Sequence, residues 1–261
     1  MNISLKGKKA LIGASSGGIG RAIAIQLAKS GASVTLMARN EEKLKNVIKD
    51  LPFSEEQAHN YILVDFNDFE KYKKSVTQYF ENNKVDILVN NTQGPPSGGV
   101  LEKKVTHYQE AFDLLFKTVV FTTELALKGM QDQHWGRIIN VASVSVKEPL
   151  SYLTLSNSIR AAVVTWGKTL AGEVGQHRIT VNNILTGYFD TERVAQLNAS
   201  KAKQFGIPVS EVREEMASRV PLKRIGNPEE YGYLVAFLAS EQASFITGTN
   251  IPIDGGLLKS L

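Results

Sequence analysis

Six short apolar runs recur along the chain, at residues 10–12, 34–38, 61–64, 85–89, 137–141 and 179–185, with helix-length amphipathic segments between them. Runs of this length, rich in Val, Ile and Leu and without polar alternation, predict strands buried on both faces, as in a parallel sheet. After the first run Ile19, Ile23 and Leu27 recur every four residues, so one stripe of a helix can pack on that sheet, with Gly31 expected to close it as a C-cap. Strand and helix alternate so regularly that the fold class predicted is α/β, a doubly wound parallel sheet with helices on both faces and ligands at the carboxyl ends of its strands. The pattern breaks at residues 191–226, a polar, helix-prone stretch interrupted by Gly206, Pro208 and Pro221. An insertion of that kind predicts a segment that covers a substrate.

Length and composition fit one large domain over residues 1–261, since 261 residues with 43% hydrophobic content can bury a substantial core. The net charge of +4 is spread along the chain and not gathered in a block, which points away from nucleic acid. The chain has no cysteine, which removes disulfides, thiolate metal sites and cysteine nucleophiles; its four scattered histidines offer no metal spacing. No apolar stretch is long enough to span a bilayer, and the amino-terminal segment reads as neither signal nor anchor, so a cytoplasmic location is expected.

The first strand runs straight into GASSGGIG, residues 13–20, which opens the first helix. Glycines there allow close backbone approach, and helix amides face outward, which together suit a pyrophosphate. Gly13, Ser15, Ser16, Gly18, Ile19 and Gly20 are therefore candidate cofactor residues. About twenty residues on, where an acidic side chain would hold the ribose hydroxyl of NAD, stand Ala38 and Arg39. A guanidinium there favours the 2′-phosphate of NADP. Asp65 either accepts from the adenine amino group or caps a helix starting near Asn67. Asn90 and Asn91, ending the fourth strand, are further candidates, through amides that can pair with backbone and ribose alike.

In order, GASSGGIG, VDF at residues 64–66, NNTQG at 90–94, GRIINVAS at 136–143 and ITGTNIPIDGG at 246–256 resemble the short-chain dehydrogenase/reductase family, with the 3-oxoacyl-acyl-carrier-protein reductases as the most similar branch. The resemblance spans essentially the whole chain and implies a Rossmann-type fold. It adds Phe66 to the cofactor site, places Thr191 near the nicotinamide carboxamide, and implies a homo-oligomer built through the long helices after the fourth and fifth strands and the carboxyl-terminal segment. Several positions depart from the pattern. Ala14 stands at the family's first glycine with Gly13 at the preceding threonine, and Thr92 and Gln93 replace the usual Ala-Gly.

The largest departure lies in the proton machinery. The family uses asparagine, serine, tyrosine and lysine, and gapless placement puts these at Leu115, Ser143, Ser156 and Arg160. Only Ser143 matches. A serine hydroxyl is a far weaker acid than a phenol, and an arginine can hold a ribose or supply positive field but cannot pass a proton on. Ser143, Ser156 and Arg160 are the catalytic candidates. Tyr152, one helical turn before Ser156 if the helix already exists there, and Tyr188, in the loop near the expected nicotinamide, are candidate substitute acids. Two functions remain open: an NADP-dependent oxidoreductase acting on a small carbonyl or alcohol, and an NADP-binding protein that has lost turnover.

Overall fold

The computed structural model describes residues 3–260, so Met1 and Asn2 of the amino-terminal stretch and Leu261 lie outside it. Among the described residues, seven parallel strands form one sheet in the order β3-β2-β1-β4-β5-β6-β7. They are β1 (Lys9–Ile12), β2 (Ser33–Ala38), β3 (Asn60–Leu63), β4 (Ile87–Asn90), β5 (Gly136–Val141), β6 (Ile179–Thr186) and β7 (Asn250–Ile253). Each of the six expected runs lies within two residues of a strand. The seventh strand carries no apolar run to announce it: NIPI contains a proline, pairs only with β6, and is buried only in part.

Alternate strand residues feed two cores, as a doubly wound sheet requires. Ala10, Ile12, Val34, Leu36, Ile87, Val89, Ile139 and Ile184 pack into one, together with α1 (Gly18–Lys29), α2 (Glu41–Asp50) and α9 (Pro228–Leu238). Leu11, Met37, Leu88, Ile138 and Val181 face the other, against α3 (Phe69–Asn82), α5 (Thr118–Asp132) and α6 (Thr154–Val174). Helix α1 buries Ile23 and Leu27 as its spacing predicts. It ends in a Schellman turn: the amide of Gly31, at φ +97°, donates to Ala28 and that of Ala32 to Leu27. Gly31 thus sits one position beyond the cap residue, Ser30.

Between α4 (Val105–Phe112) and α5 the chain makes one turn of π-helix, residues Asp113–Lys117. The 191–226 stretch forms α7 (Glu192–Phe205) and α8 (Val209–Arg219). Thr191 caps α7 through its hydroxyl, Gly206 ends it in the left-handed region, and Pro208 precedes α8. Ion pairs tie the pair of helices down: Lys201 and Arg219 both meet Glu215, Arg213 meets Asp190, and Glu192 reaches Lys43 on α2. Among the described residues no helix is long and apolar enough to cross a membrane.

Candidate active site

The glycine turn leaves β1 at Gly13 and enters α1 at Gly18, whose φ of +51° demands glycine. A Cβ on Gly20 would lie 2.4 Å from the Ala14 carbonyl oxygen, so only glycine lets the helix pack this close to the turn. The N-cap, Gly17, has no side chain to satisfy the first amides of α1, which leaves Gly18, Ile19 and Gly20 presenting open donors at the positive end of a helix. That cradle fits a pyrophosphate.

The two departures at the start of the turn have a visible geometry. Ala14 adopts φ +44°, where a side chain is strained. Gly13 meets the next loop: a Cβ there would fall 2.0 Å from the Asn91 carbonyl oxygen, while Asn91 Nδ2 donates to the Gly13 carbonyl at 3.0 Å. The glycine has moved back one residue, and β4 and its following loop close on the space it opens.

Ser15 is fully buried; its hydroxyl donates to the Ile12 carbonyl (2.9 Å) and accepts the Met37 amide (3.0 Å), so it braces β1 against β2. Ser16 remains partly exposed on the turn. Arg39 follows β2, exposed and in no ion pair among the described residues. Phe66 is buried against Tyr72, ring centroids 5.2 Å apart. Asp65 does not cap a helix. Asp68 does so for α3, accepting from the Lys71 amide, while Asp65 Oδ1 takes the Asn67 amide and Asn67 Nδ2.

The Asn90 amide is turned into the sheet. Its Nδ2 donates to Thr123 and to Asn140, Asn140 donates to Asn183, and Asn183 to Asn250, each link 2.8–3.0 Å. These four asparagines are register partners on β4, β5, β6 and β7, so one row of amides crosses four strands. Gly167 of α6 lies on the row, where a Cβ would meet Asn183 and Asn140 amide atoms at 2.8 and 2.9 Å. Nothing local announces this row, because its members are scattered from residue 90 to residue 250 and meet only through strand register.

Opposite the glycine turn, β5 ends at Val141 and Ser143 opens a short 3-10 turn, its Oγ accepting the Ser145 amide at 3.1 Å. Helix α6 presents Ser156 and Arg160 one turn apart. Arg160 Nη1 donates to the Val141 carbonyl at 2.5 Å, which brings the guanidinium to the strand end that carries Ser143. Burial pulls its pKa down from the usual arginine value, with the Tyr231 hydroxyl nearby acting weakly the other way. Ser156 is buried, and no described group engages its hydroxyl. Thr191 closes the arrangement from the far side, with its methyl 3.3 Å from where a Gly18 Cβ would lie.

Leu115 is 2% exposed and sits within the π-turn, part of the second core. The helix distortion is present although the polar side chain expected at this position is not: Phe116 lies edge-on to Trp166 of α6 at 6.2 Å, and the Thr118 hydroxyl donates to the Leu114 carbonyl at 2.7 Å. Tyr152 is not on α6, which starts two residues later; its carbonyl accepts the Gly98 amide at 2.7 Å in a turn. Its phenol lies beside that of Tyr188, within electrostatic reach of Glu215 and Arg219 on α8. Tyr152 is 45% exposed as a residue, yet desolvation on the covered side of its ring, then the neighbouring Tyr188, pushes its pKa up to about 12. The two phenols thus lie together beside α8, a pairing that sequence separation hides.

An open parallel sheet with a glycine turn after its first strand, and polar groups gathered at the carboxyl ends of its central strands, defines a dinucleotide-binding α/β protein. A family model described as enoyl-(acyl carrier protein) reductase matches residues 13–258. The NADPH-dependent reductase BacG of Bacillus subtilis is 30% identical over 97% of this chain and 99% of its own length, and the 3-oxoacyl-[acyl-carrier-protein] reductase FabG of Aquifex aeolicus is 31% identical over 98% and 100%. The L-sorbose reductase of Gluconobacter frateurii, solved with NADPH and L-sorbose, superposes with a TM-score of 0.93 at 32% identity over the full length of both chains. The chain belongs to the short-chain dehydrogenase/reductase family, in its 3-oxoacyl-acyl-carrier-protein reductase-like part.

Proposed function

We propose that this protein is an NADP-dependent reductase that converts a small carbonyl compound to an alcohol at the mouth between β5, α6 and α8. The observation that carries the reading is the Arg160 to Val141 hydrogen bond, which sets the Ser156 and Arg160 face of α6 against the strand end bearing Ser143. NADPH supplies hydride to the carbonyl carbon when bound. Gly18, Ile19 and Gly20 hold its pyrophosphate, Arg39 its 2′-phosphate, and Asp65, Phe66, Asn91 and Thr191 flank its two ends. Ser15 and Asn90 act behind this surface, fixing the strand ends. Gly13 and Ser16 shape the turn.

Ser143 and Ser156 donate hydrogen bonds to the carbonyl oxygen, and the positive field of Arg160 favours the charge that develops there. Neither serine is acidic enough to release the proton. The phenols of Tyr152 and Tyr188 supply it, one replacing the other's proton from solvent at the open mouth. A phenol raised to about 12 stays protonated at every working pH, so the donor form is always present although it is a weaker acid than a free phenol, and the phenolate that the reverse reaction needs is scarce. Helices α7 and α8, residues 191–226 with their flanks, cover the substrate.

The reductase names of the relatives support turnover over a binding protein that has lost it. The enoyl-reductase spacing, with six residues between tyrosine and lysine, is absent, since Tyr152 and Arg160 are eight apart. Assembly as a homo-oligomer uses the outer face of α5 and α6, where Val120, Leu127 and Trp166 line a trough of about 450 Å³. The location is cytoplasmic.

The test is consumption of NADPH against a panel of ketoses, cyclic ketones and 3-oxoacyl thioesters. Turnover with at least one substrate, falling about 10²-fold in the Tyr152→Phe, Tyr188→Phe double variant, is expected. Protein that binds NADPH but oxidises it with no member of the panel contradicts the reading.

A further inference from the structure

Gln93 stands where the family resemblance expects glycine, and the structure gives it a specific partner. Its Nε2 donates to Asn67 Oδ1 at 2.9 Å, and Asn67 in turn directs both its backbone amide (3.0 Å) and its Nδ2 (3.1 Å) onto Asp65 Oδ1. The loop after β4 is thereby linked through Asn67 to the end of β3. All three residues lie at the carboxyl edge of the sheet, Asp65 and Asn67 after β3 and Gln93 in the loop after β4, with Asp65 and Gln93 half-buried and Asn67 exposed.

The consequence falls on the carboxylate. Two donors converge on Oδ1, and among the described residues no hydrogen bond goes to Oδ2. A carboxylate fixed through one oxygen has its other lone pairs pointed in one direction before a ligand arrives, so less rotamer entropy is lost on binding. The amide of Asn67 is itself prevented from flipping because Gln93 Nε2 recognises its oxygen and leaves its nitrogen for Asp65. A glycine at 93 would leave that amide free to rotate.

We propose that Gln93 is a positioning residue for adenine recognition: through Asn67 it holds Asp65 with Oδ2 turned to accept the exocyclic amino group of the cofactor's adenine. The inference rests on the NADP reading given above. It makes this chain selective for a 6-amino purine through a side chain that never touches the base. A hypoxanthine ring, which carries a carbonyl at that position, meets the same carboxylate with an acceptor and is refused.

The probes are NADPH and its hypoxanthine analogue, deamino-NADPH, titrated by nicotinamide fluorescence into the full-length protein and into Gln93→Gly and Asn67→Ala, with thermal melts confirming folding. Wild type is expected to favour NADPH. In both variants NADPH binding weakens about threefold to tenfold while deamino-NADPH binding is unchanged, so the ratio of the two affinities collapses. If both nucleotides weaken together, Gln93 merely supports the loop and the proposal is overturned; unchanged affinities overturn it equally. A wild type that binds neither nucleotide refutes the NADP reading itself, an outcome distinct from either.

Discussion

Adding one methyl group at Gly13 tests whether the relocated glycine organises the nucleotide-binding turn. In Gly13→Ala the new Cβ would sit 2.0 Å from the Asn91 carbonyl oxygen and 3.1–3.2 Å from two further backbone atoms. A carbon and an oxygen cannot approach within about 3 Å without cost, so the β4 loop must retreat by roughly 1 Å. Backbone cannot rotate away as a side chain would. The retreat strains two hydrogen bonds, Asn91 Nδ2 to the Gly13 carbonyl at 3.0 Å and the Gly13 amide to the Val89 carbonyl at 3.1 Å. Overpacking costs about 1–3 kcal/mol and each of the two weakened buried hydrogen bonds about 1 kcal/mol, which gives roughly 3–5 kcal/mol for the site. For a chain of this size that lowers Tm by about 6–20 °C, and NADPH affinity falls with it because the turn and the Asn91 loop move together. The converse change, Ala14→Gly, removes the left-handed alanine at φ +44° and should be neutral to about 1 kcal/mol stabilising, since relief of strain is partly offset by glycine's greater chain entropy. Melting curves of both variants settle the matter. A Gly13→Ala protein that melts with wild type, or an Ala14→Gly protein that melts several degrees below it, would refute the reasoning.

Two further outcomes follow from the catalytic end. The triple variant Leu115→Asn, Ser156→Tyr, Arg160→Lys should raise carbonyl reduction about 10-fold or more in the substrate panel while melting lower, because the first change puts an amide into a site only 2% exposed and the last gives up the guanidinium bond to Val141; a folded variant with no gain would mean the pocket is no longer shaped for a phenol at 156. The rate of reduction should be flat in pH from about 6 to 9, because Tyr152, raised to about 12, stays protonated throughout, whereas alcohol oxidation, which needs the phenolate, should climb about tenfold per pH unit over the same range; a reduction rate that falls through pH 7–8 would exclude this donor.

Much of the fold was legible because it is written in local patterns. Strands buried in the sheet are mostly apolar, so β1, β2, β4, β5 and β6 appear as runs despite their few polar positions, and the edge strand β3 does so through Tyr61–Leu63; β7 does not, since an edge strand with Pro252 and an alternating, half-buried pattern looks like a loop. The glycine turn was legible for the same reason, as positive φ and close approach both select glycine over a few residues. What escaped is what arises only in three dimensions. Tyr152 reads as part of α6 by its distance from Ser156, yet the helix starts at Thr154 and the phenol reaches Tyr188, 36 residues on in sequence. Asp65 reads as a cap for a helix starting near Asn67, yet α3 begins at Phe69 and takes Asp68 as its cap. Ser15 and Asn90 sit inside motifs expected to face a cofactor, but their side chains turn inward to strand partners supplied by β2 and β5. The asparagine row depends on register across four strands, which no spacing encodes.

On the proposed function, this site takes a dinucleotide carrying a 2′-phosphate, met by the guanidinium after β2. Isothermal titration of NADPH and NADH into wild type and Arg39→Ala measures it directly. Wild type is expected to bind NADPH about tenfold or more tightly than NADH, with the preference lost in Arg39→Ala and NADH affinity unaltered. Equal affinities in wild type, or a preference that survives the loss of Arg39, would contradict it.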